Sequence, residues 1–138
     1  MVEAVVLIGV AGSGKTAFCK KFFSHHEHIS LDNIKDHDRE EEFKLIDRIL
    51  QDGKNIVIDD TNLTRKIRHD HIVRIRKHNP RIIAVFFDLS MQRIKLQNSG
   101  RERKLEDHIL FHMKKQLEPP SVDEGFEEIR VVSDNTYF

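Results

Sequence analysis

Apolar residues fall in unbroken runs at three places. Ala4-Val5-Val6-Leu7-Ile8 is one, Ile56-Val57-Ile58 within the span Asn55–Asp60 is another, and Arg81–Asp88 contains the third. Runs that are apolar throughout, rather than alternating, predict strands covered on both faces. A shorter piece, Ile29-Ser30-Leu31, predicts a strand ending at Asp32, and 127–132 predicts the last one. Between these runs the spacing becomes helical. A helix is predicted to begin at Thr16. A second spans Asp38–Gln51, with Phe43, Ile46, Ile49 and Leu50 on one side, acidic residues at its start and Gly53 as a stop. A third covers Thr64–His78 with the sparse stripe Ile67, Ile72 and Ile75, closed by Pro80. Ser90 reads as the cap of a helix from Met91 to about residue 98, and 105–117 is helical up to Pro119-Pro120. Strands alternating with helices predict an α/β fold, a mostly parallel sheet of about five strands with helices on both faces. The chain reads as a single domain over 1–138, with a charged lid around 97–104 and a loose tail beyond Ser133.

Between the first strand and the first helix lies Gly9-Val10-Ala11-Gly12-Ser13-Gly14-Lys15-Thr16, which fits G-x-x-x-x-G-K-[ST] in full. The setting is the one that pattern needs. Glycines let the backbone curl so that N–H groups converge on phosphate oxygens, and the helix behind adds its positive end. Gly9, Ala11, Gly12, Ser13, Gly14, Lys15 and Thr16 are therefore the candidate nucleotide ligands. Lys15 would reach the β- and γ-phosphates, and the Thr16 hydroxyl would ligate Mg²⁺. In a parallel sheet, ligands bind beyond the carboxyl ends of the strands. Asp32, Asp59 and Asp60 fall at such ends. Asp32 is the candidate general base for a substrate hydroxyl, with a turn or helix cap as its alternative. Asp59 and Asp60 are candidate Mg²⁺ ligands, and Asp60, Thr61 and Asn62 are candidate substrate contacts. Arg101 and Arg103, in a Gly-preceded loop, are candidate cations for the charge that builds on a transferred phosphoryl group.

Composition narrows the class. With 38% apolar and 33% charged residues this is a globular chain. No run approaches the ~20 residues of a membrane span, and the N-terminus lacks a signal-peptide layout. One cysteine, Cys19, excludes an internal disulfide and suits a reducing cytoplasm, where it reads as a small core residue. The net charge is zero, but residues 54–115 hold 15 Lys and Arg against 7 Asp and Glu. That surplus suits a polyanion and equally suits solvated helix faces. His108 and His112 have the i, i+4 spacing of a metal pair. Without a neighbouring Glu or third ligand they read as structural, as do His25, His26 and His28.

Taken together, the motifs resemble the polynucleotide kinase family, especially the kinase domain of animal-type polynucleotide kinase/phosphatase. The likeness spans nearly the whole chain: the loop Gly9–Thr16, the isolated Asp32, Ile56-Val57-Ile58-Asp59-Asp60-Thr61-Asn62, the pair Arg101 and Arg103, Lys115–Pro120 and Asp123-Glu124-Gly125-Phe126. The resemblance implies a P-loop kinase that moves the γ-phosphate of ATP to the 5′-hydroxyl of DNA or RNA. It makes Asp32 the base and Arg101 the lid cation, supported by Arg103. It also implies a structural Glu-Gly-Phe segment near the nucleotide side. Lys35 stands where several members carry an Arg that clamps substrate phosphate, a point charge in place of a fork. Gln97-Asn98 stands in place of an Arg-Asn pair. No counterpart of the relatives' phosphatase, ligase or forkhead-type modules is present, so a nucleic-acid repair role would be filled alone or with separate partners.

Two other readings stay open: a small-molecule P-loop kinase acting on a sugar, nucleoside or nucleotide-sugar, and a nucleotide-binding module without transferase activity. The basic stretch Arg65, Lys66, Arg68, Arg74, Arg76 and Lys77 is a candidate track for an acceptor backbone.

Overall fold

The computed structural model describes residues 1–136. Five parallel strands form one sheet in the order β2-β3-β1-β4-β5. They are β1 (Glu3–Ile8), β2 (Glu27–Ile29), β3 (Ile56–Ile58), β4 (Arg81–Asp88) and β5 (Glu128–Ser133). Five helices connect them: α1 (Lys15–Phe22), α2 (Arg39–Gln51), α3 (Arg65–Arg76), α4 (Met91–Ser99) and α5 (Asp107–Gln116). The period of two along each strand splits the core into halves. Ala4, Val6, Ile8, Ile82, Ala84 and Phe86 face α2 and α3 with Phe126. Val5, Leu7, Ile83, Val85 and Phe87 face α1, α4 and α5 through Phe18, Cys19, Ile94 and Leu110. The central strands β1, β3 and β4 are covered on both faces, which is why they are apolar without alternation, whereas the edge strands β2 and β5 carry exposed polar residues.

Several predicted boundaries move for local reasons. Asp38 and Thr64, predicted as first helical residues, stand just before their helices and cap them, their side chains accepting from the N–H groups of Glu40 and Ile67, while Ser90 caps α4 where predicted, accepting from the Arg93 N–H. The second strand stops at Ile29. The Leu31 N–H goes to Asp60 Oδ1 at 2.8 Å, which bends Leu31–Asn33 into a 3-10 turn. Beyond Ser133 the tail is anchored up to residue 136, since Asp134 accepts from the Ser90 N–H and Thr136 turns back onto Ser133. The rest of the tail lies outside the described residues.

The stripe predicted on α3 is corrected. Ile67 is exposed, and Arg68 and His71 are fully buried beside Ile72 and Ile75. Arg68 makes a fork with Glu124, at 2.8 and 3.1 Å, and donates to the carbonyls of Asn62 and Leu63. Glu124-Gly125-Phe126 is thus structural, but it packs on the α3 face and not on the side of α1. Breaking one half of a buried, fully bonded ion pair strands the other charge. Arg68→Ala should therefore destabilise the fold by roughly 3–5 kcal/mol, while the double variant Arg68→Met/Glu124→Gln should cost clearly less. Urea unfolding midpoints check both; equal losses would contradict the stranded-charge account.

Candidate nucleotide and phosphoryl-acceptor site

The strand ends, the loop and the lid enclose one pocket of about 430 Å³. Its lining includes Gly12, Lys15, Thr16, Asp32, Asp59 and Arg101. The loop leaves β1 at Gly9, whose N–H is held by the Thr61 carbonyl at 3.0 Å. Gly12 and Gly14 then adopt φ values of 80° and 89°, a left-handed backbone that side-chained residues rarely tolerate. Gly14 caps α1, so Lys15 starts the helix with the free N–H groups of the first turn behind it.

The cradle is built for anions. Lys15 is 7% exposed, and its Nζ donates to the Gly9 and Val10 carbonyls at 3.0 Å each. Burial, above all, lowers its pKa to about 8; nearby Arg101 adds to this, against the pull of Asp59, Asp60 and Asp32. Arg101 reaches over the loop, so that a Cβ on Gly12 would lie 3.3 Å from its Nη1. That Nη1 and the Ser13 hydroxyl are buried without hydrogen-bond partners. Buried donors left unsatisfied are costly, and phosphate oxygens would satisfy them. The residues present therefore fit a polyphosphate.

For Mg²⁺, the Thr16 hydroxyl donates to Asp59 Oδ2 at 2.8 Å, two hard oxygen ligands at the loop's helix end. This pair fits the ion. Asp60 also lines the pocket, but its carboxylate oxygens are taken by other partners. Its carboxylate accepts from the Leu31 N–H and from Arg39 at 3.2 Å, and it approaches His71 at 3.6 Å. Arg39 also bonds Glu42 at 2.7 Å, and Glu42 meets His71 at 2.9 Å. Burial and the adjacent Glu42 carboxylate push Asp60 well above the usual carboxylate range. Glu42 is held below that range by hydrogen bonds from His71, Asp60 and Arg39, despite the opposing effect of its burial.

Asp32 is exposed on the 3-10 turn and lines the same pocket as Lys15 and Arg101. Thr61 lines it as well. Asn62 does not: it is 1% exposed, at φ 48°, with its amide spent on the Leu7 carbonyl at 2.7 Å. It holds the strand end from beneath the site. Lys35 and Arg103 are exposed and lie outside the pocket's lining. Gln97 and Gly100 do line it, and Asn98 clamps the lid's far end through two bonds to the Leu105 backbone.

The α3 basic residues are mostly spent within the protein. Arg65 pairs with Asp123, Arg74 lies within 3.7 Å of Glu40 and Asp47, and Arg76 bonds Glu127. Arg68 is buried, whereas Lys66 on the same helix and Lys77 at its end stand exposed. His108 is exposed beside Glu106, as a surface residue would be. Two residues of the site escaped the sequence. Arg39 lines the pocket next to Asp32's turn through their shared partner Asp60, and His28 Nε2 lies 2.9 Å from Asp59 Oδ2.

Lys15 also sets a pH dependence. A bound triphosphate favours the ammonium form, so the complex holds a proton that the empty site loses near pH 8. Affinity for a nucleoside triphosphate should be flat below that pH and fall above it, by up to about tenfold per pH unit. Calorimetric titrations at several pH values check this; affinity unchanged through pH 9 would contradict it.

A family model described as an AAA domain matches residues 5–120. A protein of Acanthamoeba polyphaga mimivirus, named for a bifunctional polynucleotide phosphatase/kinase, is 25% identical over 142 aligned positions. The match covers 95% of this chain but 33% of the mimivirus protein, so the chain spans about a third of that relative's length. A gluconokinase from Sinorhizobium meliloti 1021 superposes with a TM-score of 0.69 at 19% identity, over 98% of this chain and 84% of the other. A fungal RNA kinase does so with a TM-score of 0.66 at 21% identity, over 95% and 38%. No helix among the described residues is long and apolar enough to cross a membrane.

Proposed function

The chain belongs to the AAA domain family, and from that premise we propose that it transfers the γ-phosphate of ATP to the 5′-hydroxyl end of DNA or RNA. The fold is that of a P-loop kinase. The observation that carries the proposal is the placement of Asp32 on the wall of the pocket that holds Lys15, Thr16 and Arg101. A carboxylate there can face a hydroxyl brought to the end of a cradled triphosphate.

In this reading the backbone amides of Gly12–Thr16 and the Lys15 ammonium hold the β- and γ-phosphates. Thr16 and Asp59 would hold Mg²⁺, which supplies neutralisation of phosphate charge. Asp32 accepts the proton of the acceptor hydroxyl as its oxygen bonds to the γ-phosphorus and the bond to the β-phosphate oxygen breaks. Arg101, half-buried and with its Nη1 shielded from solvent and lacking a partner, takes up the charge on the moving phosphoryl group. Arg39, held by Glu42 and Asp60, would contact a phosphate of the acceptor, a place the sequence assigned to Lys35.

The mimivirus relative favours a polynucleotide acceptor. The gluconokinase likeness and the pairing of the α3 arginines favour a second reading, a small-molecule acceptor. Labelled γ-phosphate offered in parallel to 5′-hydroxyl single-stranded DNA, RNA, duplex ends and sugar acids separates them. Label on an oligonucleotide supports the first reading, and label on a sugar acid alone replaces it with the second.

A further inference from the structure

A second cluster of metal-binding side chains lies just behind the loop. Cys19 Sγ, a ring nitrogen of His28 and a carboxylate oxygen of Asp59 all lie within 4.8 Å of one another. They come from three elements, α1, β2 and the residue after β3. Their chemistry is mixed: a sulfur, an imidazole nitrogen and an oxygen. Mg²⁺ avoids thiols and bare imidazoles, whereas Zn²⁺ and Cd²⁺ take this set with short bonds and a fourth position left for water. Cys19 is 4% exposed, and burial and then the Asp59 charge push its thiol up to about 12. In the empty protein it is a neutral core group. A cation that binds it must release one proton to solvent. The His28 side chain is 32% exposed and gives an ion a path from solvent to the other two ligands.

We propose that Cys19, His28 and Asp59 form a site for one thiophilic divalent cation, and that occupying it switches the kinase site off. The switch is carried by Asp59. The oxygen that His28 meets at 2.9 Å is the one that Thr16 meets at 2.8 Å. A zinc-type ion bound to that carboxylate draws it away from Thr16, leaving the Mg²⁺ position one ligand short. Cation binding stands on the cluster alone, and only its inhibitory consequence rests on the kinase reading above.

The full chain, free of nucleotide, is titrated with Cd²⁺ while the ultraviolet thiolate-to-cadmium band and proton release are followed. The band should saturate at one ion per chain. Cys19→Ala and Cys19→Ser should both abolish it and weaken Cd²⁺ binding by more than about tenfold, with unfolding midpoints showing that both variants remain folded. His28→Gln should weaken binding by about ten- to a hundredfold while keeping the band at saturation. No band in the wild type, or Cd²⁺ held as tightly by a folded Cys19→Ala chain, overturns the site. Zn²⁺ at buffered concentration should then suppress Mg²⁺-dependent transfer in the wild type and spare Cys19→Ala. Equal suppression of both overturns the switch. A chain that shows the cadmium band but transfers no phosphate with Mg²⁺ alone disproves the kinase reading and leaves the cation site standing.

Discussion

Lys15→Met should leave a folded protein whose phosphoryl transfer is reduced by about 10²–10³-fold or more. That range is what removing a single preorganised charge-stabilising donor costs in other active sites. The position of the ammonium is the reason. It is almost wholly buried at the start of α1, bonded to two loop carbonyls, with Asp59 and Arg101 near enough to act on its protonation. A charge in that position is held there at a cost, as its lowered pKa shows, and a phosphate would relieve the cost by pairing with it. Methionine keeps the length and apolar stem but no charge. Stability should change little, because losing two bonds to carbonyls is offset by relief of a buried charge. Nucleotide binding by calorimetry, transfer rate and melting midpoint are the measurements. A folded Lys15→Met chain with wild-type transfer would remove the loop from the mechanism.

Asp32→Asn should lower kcat by about 10²–10⁴-fold, the range that general-base catalysis supplies. The affinity for nucleotide should stay within a factor of a few. The asymmetry follows from geometry. Asp32 stands on an exposed 3-10 turn at the wall of the pocket, whereas the loop, α1 and Arg101 do the holding. Asparagine fills the same space and cannot take a proton. The split between kcat and nucleotide affinity is what a folding defect would not produce. Equal transfer by the variant would mean that Asp32 is a turn residue, the alternative its neighbour Asn33 suggests.

How much of this was legible depended on the range of the interactions involved. The limits of β4 and the cap at Ser90 are local matters, and both were readable from the pattern of apolar residues and the hydroxyl before Met91. The loop Gly9–Thr16 was readable because its backbone chemistry is written in glycines at fixed, close spacing, Gly9, Gly12 and Gly14. What escaped is held together across the chain. Leu31 reads as strand, but the carboxylate that captures its N–H belongs to Asp60, 29 residues on. Arg68 reads as a solvated cation, but the Glu124 that lets it be buried lies 56 residues away. Asn62 reads as a substrate contact, yet the nearest claim on its amide is the Leu7 carbonyl. Arg39 reads as a first-turn residue of the helix predicted from Asp38, and only the meeting of α2, α3 and the end of β3 at Glu42, His71 and Asp60 shows that it faces the site.

The most direct measurement is mass spectrometry of one oligonucleotide prepared in two forms, incubated with the protein, ATP and Mg²⁺. The form with a free 5′-hydroxyl should gain the mass of a single phosphoryl group at that end, and the form already carrying a 5′-phosphate should gain none. No gain on either form, from a protein that binds ATP, would contradict the polynucleotide account.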